Sequence, residues 1–84
     1  MQARYNQPWP EIPDTFCVFA QVKVGCVSLV KAHLLEIADV EKFTETDDLT
    51  VWRARVPADN DIHAKLKVEY KLAGVAGVEA IWTN

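Results

Sequence analysis

The chain has no apolar run near the roughly 20 residues that a membrane-spanning helix needs, and its opening stretch MQARYNQPWPEIPD lacks a signal-peptide core. A soluble, cytoplasmic protein is expected. Basic residues come singly or in scattered pairs, and 9 Lys and Arg against 12 Asp and Glu leave a formal net charge of -3. Without a positive patch the counterion-driven attraction to nucleic acid is missing, so nucleic acid is not an expected partner. Cysteine is scarce, and Cys17 and Cys26 alone do not make the disulfide framework of a small secreted domain. His33 and His63 share no metal-ligand spacing with either cysteine, so no metal site is expected. No nucleophile stands with its base in a recognisable order, and there is no glycine-rich phosphate loop. The chain is therefore expected to be neither an enzyme nor the holder of a cofactor.

What is present is ordinary globular composition: 84 residues, 50% apolar and 25% charged, which suit one domain with a thin core. The clearest strand is FCVFAQVKV, residues 16–24. Side chains alternate along a strand, so Phe16, Val18, Ala20, Val22 and Val24 share a core face, while Cys17, Phe19, Gln21 and Lys23 share the other. Before it, residues 1–15 hold three of the four prolines, Pro8, Pro10 and Pro13, each of which removes a backbone donor and extends its predecessor. This segment reads as an extended arm anchored by Tyr5, Trp9 and Ile12, with the domain proper over residues 16–84.

After Gly25 a helix is predicted from Cys26 or Val27 to Ala38, with Val27, Val30, Leu34 and Ile37 as its buried stripe and Leu29 and Leu35 outside it. A strand over residues 40–46 follows, then a tight turn at Asp47 and Asp48, whose short acidic side chains bond locally to the backbone. The next strand, residues 49–56, alternates Trp52, Ala54 and Val56 with Val51, Arg53 and Arg55, and Pro57 stops it. Asp59 or Asn60 caps a second helix to about Ala73, with Ile62, Leu66, Tyr70 and Ala73 as the expected buried stripe and Val68 and Leu72 expected to lie exposed. Gly74 and Gly77 precede a last strand, residues 78–83.

The order strand, helix, strand, strand, helix, strand predicts an α+β, ferredoxin-like βαββαβ sandwich: a four-stranded antiparallel sheet, both helices on one face, right-handed crossovers. Phe16, Val18, Ala20 and Val22 then lie with Trp52, Ala54 and Val56 under the helices. Phe19, Gln21, Lys23, Val51, Arg53 and Arg55 face the other way, and with Trp9 of the arm they form the expected interface. The same arginines equally suit carboxylates across a dimer interface, with Glu41 and Glu45 of the second strand as partners. Phe19 with these basic residues also matches, in position, the stacking face of RNA-recognition sheets, without that motif's paired aromatics. Cys26, at the first turn of the first helix, lacks the second thiolate of a soft-metal loop and reads as a small apolar residue.

The stretch ADVEKFTETDDL, the polar second helix and the closing LAGVAGVEAIWT, with Gly77 and Val78 before the last strand, resemble the effector-binding domain of the Lrp/AsnC regulators and its stand-alone relatives. Thr46, Asp47, Asp48 and Leu49 stand where that family has a Gly-aromatic-Asp turn. The resemblance implies a stand-alone domain that dimerises through open sheet faces and takes a small molecule between subunits. Three functions are therefore expected: a regulatory or interaction module that self-associates through its open face; a small-molecule effector sensor; or a small, phage-type inhibitor or adaptor docking a larger complex through the acidic edge Glu41, Glu45, Asp47 and Asp48. The expected partner is a second copy or another protein.

Overall fold

The computed structural model describes residues 14–83, and Trp9 with the rest of the arm's expected anchors lies outside them. The elements run β1 (Thr15–Lys23), α1 (Val27–Leu34), β2 (Asp39–Glu45), β3 (Leu49–Pro57), α2 (Asp61–Leu72) and β4 (Val78–Thr83). The strands form one antiparallel sheet in the order β2-β3-β1-β4. Both helices pack on one face of it, giving the ferredoxin-like α+β sandwich. No described helix is long and apolar enough to cross a membrane.

The central pair β1 and β3 is in register from Thr15 opposite Pro57 to Lys23 opposite Leu49, so Phe16, Val18, Ala20 and Val22 share a face with Val56, Ala54, Trp52 and Thr50. Val18, Ala20, Val22, Trp52, Ala54 and Val56 are buried under Val30 and Leu34 of α1 and Ala64, Val68 and Leu72 of α2. Trp52 seats α1: its indole Nε1–H donates to the Val27 carbonyl at 3.1 Å, and the Lys31 ammonium lies 5.2 Å from the ring centre. Val24, expected in the core, is exposed instead. β1 ends one residue earlier, where the Cys26 N–H donates to the Lys23 carbonyl and Gly25, at φ 94°, turns the chain out of the strand.

Helix α1 is shorter than its apolar spacing predicts. After Leu34 the N–H groups of Glu36 and Ile37 bond to the carbonyls of His33 and Leu34, three residues back, so 35–38 close as tight turns rather than as helix. Ile37 still packs against the core, while Leu29 and Leu35 are exposed. Lys71 of α2 reaches across to Glu36. The bond from Lys71, then its charge, holds the Glu36 carboxyl below its usual pKa.

Helix α2 starts at Asn60, whose side-chain oxygen accepts the His63 N–H at 2.8 Å. Its buried stripe is Ala64, Val68 and Leu72, and the expected one is turned out: Ile62, Leu66 and Tyr70 are 70%, 43% and 79% exposed, and Ala73 is exposed too. The two stripes lie two residues apart, about 200° around a helix, so they occupy opposite faces. With Trp52 already filling the sheet side of the core, the small Ala64 and Val68 fit the space that remains. Val68→Ala should therefore cost about 1.5–3 kcal/mol for two lost methyl groups and the cavity they leave. Leu66→Ala should cost at most about 1 kcal/mol, being half solvated and gaining helix propensity. Urea unfolding of the two variants measures this, and a larger loss at Leu66 would reverse the assignment.

Candidate interaction face

The sheet face away from the helices is built in rows by strand register. Asp39, Arg55 and Cys17 make one row, and Glu41, Arg53, Phe19 and Trp82 the next. A third holds Thr44, Val51, Gln21 and Ala80. All six strand residues expected on this face are on it. The register of β2 against β3 shifts between Lys42 and Thr44, which makes Phe43 the extra residue of a bulge.

Phe43 and Trp82 come from the two edge strands and close over the centre of the face. The Phe43 ring meets Phe19 edge-on at 4.9 Å between centroids, and Trp82 stacks on Phe19 at 5.6 Å with an interplanar angle of 11°. Phe19 is consequently only 3% exposed, and Val51 is also buried. Both were expected as exposed contacts; they are instead the floor of the face. The surface that meets solvent is the two rings above, with Phe43 53% and Trp82 37% exposed. Ring pairs of this geometry add about 0.5–1.5 kcal/mol each beyond their burial.

The charged residues around the rings lie in pairs. Arg53 bonds Glu41 and lies 5.6 Å from the Phe43 ring centre; Arg55 donates to Asp39 at 2.8 Å; Lys23 is 3.6 Å from Glu79. Three cations against three anions leave the face neutral although the chain is acidic. Gln21 sits half-buried in the third row. Within the chain, Glu41 meets Arg53 and Glu45 meets Lys42, the latter at 3.0 Å. The acidic edge is thereby divided. Asp47 and Asp48 are exposed in a turn held by the Thr46 hydroxyl oxygen, which accepts the N–H groups of Asp48 and Leu49 at 3.3 and 3.2 Å.

Phe43 and Trp82 were not among the residues expected here. Their signal lay in alternation: Phe43 is two residues from Glu41, and Trp82 neighbours Ile81, which packs on the core. At the start of β1 and the end of β3 a cleft of about 390 Å³ is lined by Thr15, Leu35, Ala38, Asp39, Arg55 and Pro57, and its one charged pair is already bonded internally. Among the described residues no three His, Cys, Asp or Glu are grouped to hold a metal ion, and Cys17 and Cys26 are free thiols. The arrangement presents two flat, half-exposed rings on an apolar floor, bordered by paired charges. Compared with models of protein families, with curated proteins and with solved structures, the chain matches none.

Proposed function

We propose that the protein is a non-enzymatic interaction module of regulatory type that pairs with a second copy through its open sheet face. The carrying observation is the exposed pair Phe43 and Trp82 over buried Phe19. Aromatic surface held on a rigid scaffold contributes much of the energy in protein interfaces. A two-fold contact brings the same patch against itself, and the three paired charges make that approach free of net repulsion. The resemblance to Lrp/AsnC effector domains points to the same surface. The adaptor reading has less support, since Glu41 and Glu45 are already occupied by Arg53 and Lys42. The sensor reading would need a ligand between the paired subunits and so depends on the same association.

The solution mass across a concentration series tests this, for the native chain and for Trp82→Glu. The native chain should pass from monomer to dimer as concentration rises. Trp82→Glu places two carboxylates at the two-fold centre and should weaken association at least about 100-fold, by several kcal/mol of desolvation and repulsion. A native chain that stays monomeric at every concentration sinks the proposal, as does a Trp82→Glu variant that dimerises equally well.

A further inference from the structure

We infer that the proline-rich stretch PWPEIP, residues 8–13, docks back on the Phe43–Trp82 platform of its own chain and competes there with the second copy. The inference rests on reading the open face as a docking surface, and it names the face's occupant in the free monomer. Three observations converge on it.

The first is chemistry. Pro10 and Pro13 have the P-x-x-P spacing, and Trp9 stands between Pro8 and Pro10. Such segments favour the extended polyproline conformation before binding and dock on exposed aromatic rings, because little conformational entropy remains to be lost. Phe43 and Trp82 are the two aromatic rings the open face presents to solvent among the described residues.

The second is the direction of the chain. Asp14, which joins this stretch to β1, has φ 64°, the left-handed region that a non-glycine residue enters at a turn. The Asp14 carbonyl accepts the Ala58 N–H at 2.9 Å, which ties the bend to the residue following β3. The helix-side face of the sheet is already filled by Val30, Leu34, Ala64, Val68 and Leu72, whereas no described element covers the open face.

The third is reach. Trp9 precedes Asp14 by five residues and Phe19 follows it by five. At about 3.3 Å per residue both span roughly 17 Å. An extended segment folded back at Asp14 thus brings Trp9 level with the row of Arg53, Phe19 and Trp82. The short tether also decides between copies: it gives the segment an effective concentration in the millimolar range, well above a second chain at micromolar concentration. Self-association must then displace the segment.

The test uses the full chain, in nuclear Overhauser spectra recorded at dilution and in a mixed sample of labelled and unlabelled protein, together with the variant Trp9→Ala. The expected result is cross-peaks from Trp9, Pro10 and Pro13 to the rings of Phe43 and Trp82 that persist on dilution and arise within one molecule. Trp9→Ala should then tighten the dimer about tenfold, as its internal competitor is weakened. Absence of these cross-peaks in the monomer overturns the inference. So do cross-peaks that arise only between molecules, or a Trp9→Ala variant whose dimer is unchanged or weaker than the native one. If both proteins stay monomeric throughout, the self-association reading has failed, and the cross-peaks still decide the docking on their own.

Discussion

Phe19→Glu is expected to unfold the domain. On the alternation of β1 alone this substitution is the natural surface probe, because Phe19 falls on the face away from the helices. The ring is 3% exposed, however, between Phe43 at 4.9 Å and Trp82 at 5.6 Å. Removing a buried phenyl ring costs about 3–5 kcal/mol, and placing a carboxylate in the vacated site adds several more unless the group stays protonated. Arg53 lies directly opposite, but it already bonds Glu41, so the new carboxylate would have to compete for it. A domain of this length has roughly 4–12 kcal/mol of total stability at about 0.05–0.15 kcal/mol per residue, which the loss approaches or exceeds. Far-ultraviolet circular dichroism and a urea titration measure it. Phe19→Leu, which keeps apolar volume, should remain folded with a loss of about 1–2 kcal/mol. A Phe19→Glu protein with a near-native urea midpoint would show that the three-ring cluster is not the floor of this face. Surface probes accordingly belong at Phe43 and Trp82.

Gly77→Ala carries the second large effect, and two independent causes add. Gly77 has φ 90°, where a Cβ costs about 1–2 kcal/mol of backbone strain. A Cβ at this position would also run into the Cβ and Sγ of Cys26, well inside contact distance. Overpacking of this kind costs a further 1–3 kcal/mol or about that. The carbonyl of Gly77 accepts the Lys23 N–H at 2.9 Å, so neither side of the contact can move without disturbing the end of β1. The expected total is about 2–5 kcal/mol. Adding Cys26→Gly to the variant should recover the steric part and leave the φ part, which a double-mutant cycle in urea separates. Gly74→Ala is the comparison: it has φ 79° but open space around its Cβ position, so it should show the backbone cost alone. Equal losses at the two glycines would dismiss the Cys26 contact.

The element order and the layering were legible in the chain itself. Alternation in β1 and β3 separated core from open face correctly for Val18, Ala20 and Val22 against Gln21 and Lys23, and Asn60 capped α2 as its side chain predicts. Helix α2 was legible as a helix but not in its rotation. Ile62, Leu66 and Tyr70 repeat with the same spacing as Ala64, Val68 and Leu72, and the larger residues made the more persuasive core stripe. Amphipathic spacing states that a face exists; it does not state which of two apolar faces a sheet will accept. The open face was half legible for a related reason. Its central residue Phe19 was foreseen, but its exposed rings were not, since Phe43 and Trp82 reach Phe19 only after β3 and β4 pair on either side of β1 and a bulge sets the position of Phe43.

By itself, then, the sequence determined the run of strands and helices, the turns and the ferredoxin-like order, because those follow from periodicity and backbone preferences within about ten neighbouring residues. Only the tertiary structure decided that Phe19 and Val51 are covered, that α2 shows Ile62, Leu66 and Tyr70 to solvent, and that Arg53 and Arg55 answer Glu41 and Asp39. Burial and charge pairing are set by what arrives opposite a residue from distant parts of the chain, and no local pattern encodes that.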